Sequence, residues 1–563
     1  MKRAFIIFAS LFLVFVTSSA LMAQNWQWGK AGGSNGYDRA NSVATDPSGN
    51  VYVAGHFDTS SITFGGTTLY NASTRYWDIF LVKYSPGGNV IWAKSFGGLY
   101  DDDATAVATD QLGNVYIAGS FYSPTMAFGT SIISNVSLNG SSDIFIAKFD
   151  ENGANLWAKG IGSRNVVSVD EWDYATALAT DSHNNVFMAG YYSDSIRFGT
   201  FWLRNSFPAT GDGFIVKYDE SGTAQWVNDI TGIGEEKPAV LAVDQFDDVY
   251  VAGSFSSTSM VVSGTWPFTC SGNTDGFIAK YSNAGAVLWA NKMGEAQNDN
   301  CYGLATDKAG NVYVGGTFNS PYMFCDSRIV YGHGYAFDMF LAKFSPTGTV
   351  RWAKGIGGLY EDFLYSIAID SFDIYITGCF ISDTIVLGPS RLITTSKSSF
   401  IGKFDTSGNA IWGKVPQGSP WSNSCGYSLA VDNFSNVYIA GDYGADSLVF
   451  GGDRLTSVGG VEDVFLAKLG QAFATGIDET VGADERLNVY PNPASNQVTI
   501  VLKLSSRYDR LLVTDQLGRK VYDRSVDSSQ NEATIDVSGF AKGIYIVNAF
   551  SSVSIDRTMF VVD

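Results

Sequence analysis

Short runs of β-branched and aromatic residues, separated by clusters of turn-forming residues, make up most of this chain. Val51–Val53, Phe80–Tyr84 and Val90–Ala93 are three such runs, and Asp46-Pro-Ser-Gly-Asn and Ser85-Pro-Gly-Gly-Asn are two of the clusters. Proline presets φ and glycine supplies positive φ, as tight turns require. Helical periodicity is scarce, so the pattern predicts an all-β chain of short strands.

One eleven-residue phrase recurs seven times along the chain. Its first copy reads Asp46-Pro-Ser-Gly-Asn-Val-Tyr-Val-Ala-Gly-His, and the sixth copy lacks one turn residue. Self-similarity at a near-constant period indicates a repeat architecture. The copies begin 62 to 71 residues apart, at Asp46, Asp110, Asp181, Asp244, Asp307, Asp370 and Asp432.

Each repeat carries two further phrases. The second has the pattern Asp-x-Phe-(Leu/Ile)-x-Lys-aromatic, and the third ends in a tryptophan. With a strand before the first phrase, such as Ala40–Thr45, these phrases predict four strands per repeat, A to D. The second phrases begin at Asp78, Asp143, Asp212, Asp275, Asp338, Ser398 and Asp463, where Ser398 departs from the pattern. The tryptophans are Trp92, Trp157, Trp226, Trp289, Trp352 and Trp412, with a further copy at Trp28.

Seven four-stranded units of this length predict a seven-bladed β-propeller over residues 24–470. Strand D of the last repeat is missing after Leu469, while a spare strand D lies at residues 26–30. We therefore expect the N-terminal strand to complete the seventh blade and close the ring, which leaves few exposed sheet edges. The repeats resemble the bacterial seven-bladed propeller repeat family known as SBBP, across residues 26–470.

The first 23 residues form a separate module. Lys2 and Arg3 precede an apolar run from Ala4 to Val16, and mostly small residues follow to Ala23. This pattern predicts a secretory signal peptide over residues 1–23, cleaved before Gln24. No other stretch approaches the length of a membrane span, so we expect none in the mature chain. The net charge of −19 argues against nucleic acid and anionic membranes as partners.

The five cysteines do not share one position in the repeats. Their odd number leaves at least one unpaired within the chain. Their spacing matches no zinc motif, and we expect them to be small apolar residues of the core. They are Cys270, Cys301, Cys325, Cys379 and Cys425.

The repeat pattern stops after Gly470. Residues 471–485 are small, polar and acidic, as in a linker, and residues 486–563 contain short strand-like runs that predict a small β-sandwich. The segment Tyr490-Pro-Asn-Pro, the turn Asp515-Gln-Leu-Gly-Arg and Gly543-Ile-Tyr-Ile-Val resemble the C-terminal sorting domain of the type IX secretion system of Bacteroidetes. The resemblance implies type IX secretion machinery as a partner and a location outside the cell or on the outer-membrane surface. An ordinary accessory β-sandwich is the alternative.

Sequence motifs for catalysis are absent from the repeats. The three histidines, His56, His183 and His333, fall in different parts of their repeats, and we expect them in turns or at the surface. No nucleophile elbow, zincin, P-loop or EF-hand pattern occurs. We expect the recurring tryptophans to pack between blades and the recurring lysines, such as Lys83, to form structural ion pairs.

Length variation in the repeats falls almost entirely in the D–A and B–C loops, which we expect at one edge of the sheets, here called the D–A rim. Variable loops on a rigid scaffold are where binding usually occurs. An acidic residue stands eight positions before most first phrases, and these residues either cap their own loops or hold Ca²⁺. The weak metal candidates are Asp38, Asp102, Asp173, Asp299 and Asp362, and the ligand-binding candidates are Trp172, Trp421, Tyr37, Tyr100 and Tyr360.

The sequence predicts a secreted or cell-surface, non-enzymatic propeller that binds a glycan or a protein at the D–A rim. It predicts no cofactor other than this possible Ca²⁺. The alternative is a secreted polysaccharide lyase or hydrolase, since propellers host both. A third hypothesis is a purely structural envelope component. Convergent acids or a histidine in the channel favour the enzyme, whereas a shallow aromatic rim without them favours binding.

Overall fold

The computed structural model describes residues 24–471 and 487–562, with gaps at 74, 137–139, 163–171, 206, 208–209, 335, 419–422, 445–446, 503–507, 509, 516–519, 528–529, 531 and 551–554. The predicted signal peptide and most of the predicted linker therefore lie outside the described residues. The chain divides into two compact units, Met1–Ala472 and Phe473–Asp563. Every regular element of the described residues is a β-strand.

Each repeat of the first unit contains the four predicted strands, numbered here in chain order. Strands A are β2 (Asp38–Thr45), β8 (Asp102–Thr109), β14 (Tyr174–Thr180), β20 (Glu236–Val243), β26 (Asp299–Thr306), β32 (Asp362–Ile369) and β39 (Ser424–Val431). Strands B are β3 (Val51–Phe57), β9 (Val115–Phe121), β15 (Val186–Tyr192), β21 (Val249–Phe255), β27 (Val312–Phe318), β33 (Asp373–Phe380) and β40 (Val437–Tyr443).

Strands C carry the second phrase and strands D the tryptophan. Strands C are β6 (Asp78–Tyr84), β12 (Asp143–Phe149), β18 (Asp212–Tyr218), β24 (Asp275–Tyr281), β30 (Asp338–Phe344), β36 (Ser398–Asp405) and β43 (Asp463–Gln471). Strands D are β7 (Val90–Phe96), β13 (Asn155–Ile161), β19 (Ala224–Thr231), β25 (Val287–Gly294), β31 (Val350–Ile356), β37 (Ala410–Lys414) and β1 (Gln24–Gly33).

The four strands of a repeat form an antiparallel sheet in the order A-B-C-D. In the first repeat every residue of strands B and C is buried, whereas strand D is mostly half-buried. Strands B and C are therefore covered on both faces, as their nearly continuous apolar sequence predicts. Strand D is the outer strand of each sheet.

The structure differs from the sequence prediction in the B–C connection, which contains a short hairpin as well as loop residues. At three junctions, this hairpin pairs with strand D of the preceding repeat and widens its sheet to six strands, as β4 does with β1 at Gly32↔Phe64. The hairpins are β4–β5 (Ser61–Phe64, Thr67–Tyr70), β10–β11 (Thr125–Phe128, Ser131–Ser134), β16–β17 (Ser195–Phe198, Phe201–Arg204), β22–β23 (Met260–Val262, Trp266–Phe268), β28–β29 (Tyr322–Cys325, Arg328–Tyr331), β34–β35 (Thr384–Leu387, Ser390–Ile393) and β41–β42 (Ser447–Phe450, Asp453–Thr456). The two-residue strand β38 (Gln417–Gly418) pairs with β41.

The N-terminal strand pairs with the last repeat, as residues 26–30 predict. β1 runs antiparallel to β43 from Gln24↔Gln471 to Gly32↔Val464. It completes the sheet order β39-β40-β43-β1, so the last sheet takes three strands from one end of the unit and one from the other.

The hydrophobic cores lie between neighbouring sheets, and the recurring tryptophans belong to them, as predicted. Trp92 packs in a core shared by the first and second repeats, and its indole N–H donates to the carbonyl oxygen of Glu151 in the second repeat at 3.1 Å. Trp28 packs in a core shared by the last and first repeats. Gly153, at φ +79°, lies so close that a Cβ there would stand 3.1 Å from the Trp92 ring.

The first-phrase aspartate and the strand-C lysine hold the A–B turn together. Asp46 Oδ1 accepts hydrogen bonds from the backbone N–H groups of Ser48 and Asn50, which is the capping role that short acidic side chains play in turns. Lys83 Nζ lies 3.6 Å from Asp46 Oδ2, and both side chains are buried. The predicted structural role of the recurring lysines is therefore confirmed at this turn.

The second unit contains two antiparallel sheets around one hydrophobic core. Both proline bonds of the segment Tyr490-Pro-Asn-Pro are cis. The sheets are β44-β45-β48 and β47-β46-β49-β50, formed by β44 (Asn488–Tyr490), β45 (Gln497–Val501), β46 (Arg510–Asp515), β47 (Lys520–Ser525), β48 (Glu532–Asp536), β49 (Gly543–Phe550) and β50 (Ile555–Val562).

Candidate functional site

A cavity of about 540 Å³ opens at the D–A rim where the first, second and last repeats meet. Its aromatic side chains are partly exposed, with Tyr37 48% and Trp77 40% accessible. We call it the first rim cavity. Its lining residues are Tyr37, Arg39, Asn41, His56, Trp77, Asp103, Thr105, Tyr427 and Glu462.

Most of these residues occupy positions whose type changes from repeat to repeat. The second residue of strand A, or its equivalent where the strand starts later, is Arg39, Asp103, Tyr174, Lys237, Asn300, Phe363 or Cys425. The sixth residue of strand B, or its equivalent in the longer β33, is His56, Ser120, Tyr191, Ser254, Thr317, Cys379 or Asp442. A position whose residue type varies between repeats can serve a local role, because the repeat does not require one residue type there.

At four junctions these two positions contact each other across neighbouring sheets, each time by different chemistry. His56 Nδ1 lies 2.7 Å from Asp103 Oδ1, and Arg39 Nε lies 4.0 Å from Asp442 Oδ2. Lys237 Nζ lies 5.5 Å from the Tyr191 ring centroid. The fourth contact is the disulfide Cys379–Cys425. The contacts show that this pair of positions joins sheet to sheet.

Two sequence expectations need correction here. His56 is 6% exposed, so it lies neither in a turn nor at the surface. Cys379 and Cys425 form a disulfide and are not free apolar residues, whereas Cys270, Cys301 and Cys325 are free and buried, as expected. Sequence reasoning missed both contacts because their partners come from different repeats.

Removing the disulfide is expected to destabilise the first unit by about 2–5 kcal/mol. Cys379 and Cys425 are 46 residues apart, and opening a loop of that size restores conformational entropy to the unfolded chain. The double variant Cys379→Ala/Cys425→Ala tests this by urea denaturation. Dithiothreitol should lower the stability of the natural protein and leave the double variant unchanged; equal stability of the two proteins without reductant contradicts the prediction.

The first rim cavity combines aromatic faces with charged groups. The His56 ring stacks on Trp77 with centroids 4.4 Å apart, and the Arg39 guanidinium lies 3.8 Å from the Tyr427 ring centroid. Burial, reinforced by the charge of Glu462, raises the pKa of Asp442 to about 7. Aromatic faces beside hydrogen-bonding groups are suited to neutral or weakly charged sugars.

A second cavity of about 420 Å³ lies beside the first on the same rim. The rings of Tyr76 and Tyr100 meet edge to face at 5.5 Å, and the Trp77 backbone N–H donates to Asp101 Oδ1 at 2.9 Å. Trp77 therefore connects the two cavities. We call this the second rim cavity; its lining residues are Tyr76, Tyr100, Asp101, Tyr122, Pro124, Asn135, Gly140 and Ser141.

The structure brings some of the predicted ligand-binding residues together and separates others. Tyr37 lines the first rim cavity and Tyr100 the second. Tyr360 is exposed in another repeat, and Trp172 is 39% exposed beside Ser142, with which it forms an isolated bridge. Trp421 lies outside the described residues.

The acidic residues that precede the first phrases are buried at the start of strand A or immediately before it. Asp102 accepts hydrogen bonds from the backbone N–H and hydroxyl of Ser123 at 3.2 and 2.7 Å, and the Gly358 N–H donates to Asp362 at 2.8 Å. Burial raises the pKa of Asp38 and of Asp299 to about 7. The remaining predicted metal candidate, Asp173, is also buried.

Asp181, His183 and Asp247 form a cluster of three ligand-type side chains in the part of the chain that the structure describes. Their ligand atoms lie within 4.8 Å of one another. Lys217 Nζ already lies 3.0 Å from Asp181 Oδ2, so this carboxylate has an internal cation. His183 is exposed in a turn, as the sequence predicts.

Two protein families match segments of this chain, one in each unit. A family described as "Secretion system C-terminal sorting domain" matches residues 488–562. A family described as "Beta-propeller repeat" (SBBP) matches residues 30–56, 91–120 and 292–322. The chain carries SBBP propeller repeats and a C-terminal type IX sorting domain. The sorting domain implies export by the type IX machinery to the cell surface or the medium.

Two curated proteins are similar to this chain. The uncharacterized WD repeat-containing protein L264 of Acanthamoeba polyphaga mimivirus is 25% identical over 482 residues, which cover 70% of this chain and 34% of that protein. The regulatory protein FlaEY of Caulobacter vibrioides is 24% identical over 357 residues, which cover 58% of this chain and 35% of that protein. The chain thus spans about a third of the length of these relatives.

Among solved structures, Sqt1 from Chaetomium thermophilum is similar to this chain at 9% sequence identity. The alignment covers 80% of this chain and 100% of Sqt1. The TM-score is 0.37, too low to support an argument.

No helix in the described residues is long and apolar enough to cross a membrane.

Proposed function

We propose that this chain is a secreted, non-enzymatic seven-bladed propeller, closed by its N-terminal strand, that binds a glycan chain along the two rim cavities. The observation that carries the proposal is the set of partly exposed aromatic rings in the two neighbouring cavities, with Tyr37 and Trp77 in the first and Tyr100 in the second. Such rings stack on sugar faces, and neighbouring polar groups fix the orientation of the sugar hydroxyls.

Contacts between sheets support the proposed ring. Each strand A contacts strand A of the next repeat, and β2 of the first repeat also contacts β39 of the last. Hydrophobic cores likewise join each repeat to the next and the last to the first. A closed propeller requires each repeat to contact the next and the last repeat to contact the first.

The chemistry of the two cavities favours a glycan over a protein ligand. Their volumes of about 540 and 420 Å³ fall in the range of small-ligand sites, so each can hold one or more sugar units. Asn41, Thr105 and Asp101 in their walls offer hydrogen-bonding groups for hydroxyls. The sorting domain supports this choice, because it implies a secreted or cell-surface protein, and polysaccharides are abundant outside cells.

A polysaccharide lyase or hydrolase is the second candidate, because His56 and Asp103 lie together in the first rim cavity. A histidine oriented by a carboxylate is a common general base. Against this function, the same two positions hold a disulfide at one junction and an arginine–aspartate pair at another. The pair therefore has a structural explanation, and we favour binding.

Replacing the shared aromatic ring tests the proposal. In the full chain, Trp77→Ala should weaken binding of a soluble polysaccharide by about tenfold, the loss expected for one stacked ring at about 1.4 kcal/mol. Tyr100→Ala and Trp172→Ala extend the test along the rim. Isothermal titration calorimetry with xylan, laminarin and alginate, after a polysaccharide array identifies which one binds, gives the affinities.

The matched control is Tyr331→Ala, which removes an exposed ring from hairpin β28–β29, outside both cavities. Its affinity should equal that of the natural protein. If Trp77→Ala and Tyr100→Ala bind as tightly as this control, the rim site is wrong. New reducing ends or unsaturated products from the bound polysaccharide, lost in His56→Ala, identify the enzyme instead.

A further inference from the structure

Two buried carboxylates face each other at most junctions between repeats. One is the first residue of strand C, and the other stands at or just before the start of strand A in the next repeat. At one junction a single glycine shows the geometry: a Cβ on Gly294 would lie 2.6 Å from Asp275 Oδ1 and 3.0 Å from Asp299 Oδ2. Five of these pairs are Asp463/Asp38, Asp78/Asp102, Asp212/Glu236, Asp275/Asp299 and Asp338/Asp362.

Several oxygens of these pairs are buried without a hydrogen-bond partner. They include Asp38 Oδ2, Asp463 Oδ1 and Asp78 Oδ1, on side chains that are no more than 1% exposed. Leaving a buried carboxylate oxygen unpaired is costly, so each such atom needs a ligand or a proton.

Glycine lets the backbone pass close to these oxygens. A Cβ at Gly97 would stand 2.0 Å from Asp78 Oδ1, and one at Gly33 would stand 2.1 Å from Asp463 Oδ1. Both glycines follow the junction tryptophan by five residues, in the D–A loop or at the end of strand D. Any other residue would clash with the unpaired oxygen.

One junction lacks the pair. Ser398 and Ser424 stand in place of the two acids. Here Ser399 Oγ and Ser424 Oγ lie 3.0 Å apart. Uncharged hydroxyl groups thus take the place of the two buried acids at this junction.

The junctions differ in how the negative charge is balanced. Lys292 Nζ lies 2.8 Å from Asp275 Oδ2, and His333 Nδ1 lies 3.8 Å from Asp338 Oδ2. Burial, reinforced by the charge of Asp212, raises the pKa of Glu236 to about 8. Within the described residues no ion pair involves Asp38, Asp463, Asp78 or Asp102. Asp58, a further carboxylate, also acts on Asp38 and raises its pKa.

We propose that a divalent cation of the Ca²⁺ type binds between Asp78 and Asp102, and a second between Asp463 and Asp38. Ca²⁺ takes oxygen ligands in flexible geometry, and carboxylate and hydroxyl oxygens converge at both places. Ser123 Oγ lies 2.7 Å from Asp102 Oδ2, and Ser34 Oγ lies 2.8 Å from Asp38 Oδ1. Each cation joins two repeats.

Calorimetry and thermal melting of the full chain test the proposal. After EDTA treatment and desalting, titration with CaCl₂ at pH 7.5 should show two sites with Kd of about 0.1–1 mM, the range of extracellular Ca²⁺ modules. Adding 10 mM CaCl₂ should raise the melting temperature by about 3 °C at pH 7.5. No heat of binding and no shift would mean that the pairs hold shared protons only, and would overturn the proposal.

Two double variants locate the sites. Asp78→Ser/Asp102→Ser copies the serine junction and should lose one of the two sites. Asp275→Ser/Asp299→Ser changes the pair that already has Lys292 and should keep both. Loss of a site from the second variant, or two sites remaining in the first, contradicts the assignment. If a variant does not fold, the CaCl₂ titration of the natural protein still tests the proposal.

Discussion

Deleting residues 24–33 should lower the free energy of unfolding of the first unit by more than about 5 kcal/mol. The deletion removes Trp28, and a buried tryptophan alone contributes about 3–5 kcal/mol. It also removes the strand that pairs with one edge of β43, and the hydrogen bond from Gln24 Nε2 to Tyr375 OH at 3.0 Å. Guanidinium denaturation measures the loss, and hydrogen exchange should locate it in β40 and β43.

Adding the missing strand in trans provides the control. A synthetic peptide of residues 24–33 should restore part of the stability and protect β43 from exchange, because it can re-form the antiparallel pairing. The same peptide with Trp28→Ala should bind less well, since Trp28 packs in the core between the last and first repeats. If the deleted chain is as stable as the natural one, the strand does not complete the last sheet.

Trp226→Ala should destabilise the first unit by about 3–5 kcal/mol, as truncation of a large ring in a core does. The Trp226 ring packs against Phe187 and Tyr281, with centroids 5.9 and 6.4 Å away. Its N–H donates to the Asn283 carbonyl oxygen of the next repeat at 2.9 Å. Urea denaturation followed by circular dichroism measures the change.

Trp202→Ala is the matched control for this substitution. Trp202 lies in hairpin β16–β17 of the same repeat and is 56% exposed, so its removal should change stability by less than about 0.5 kcal/mol. Equal stabilities of the two variants would show that Trp226 does not hold neighbouring repeats together.

The repeat pattern predicted the strands because each phrase combines a turn with an apolar run. Asp46 and Lys83 could be assigned structural roles because a residue that recurs in every copy builds the copy. The hairpins between strands B and C were missed, because their strands are mostly four residues long, half exposed and dissimilar in sequence. Three of the hairpins also pair with strand D of the preceding repeat, which local patterns do not reveal.

The candidate site was predicted only in part. Loop-length variation pointed to the D–A rim, and Tyr37 and Tyr100 lie in its two cavities. Trp77 was missed because it lies immediately before a second phrase. His56 was missed because it is the last residue of a first phrase. A column-by-column comparison of the seven repeats would have found His56, because no other repeat has histidine there. The contact of His56 with Asp103, however, depends on the packing of adjacent sheets.

The pairing of β1 with β43 has a consequence for damaged copies of this protein. The last sheet is complete only if both ends of the unit are intact, because it takes one strand from the beginning and three from the end. A molecule clipped by a protease at either end presents a bare strand edge, which invites further digestion or self-association. Proteolytic cleavage at either end of the unit should therefore shorten the lifetime of the folded protein.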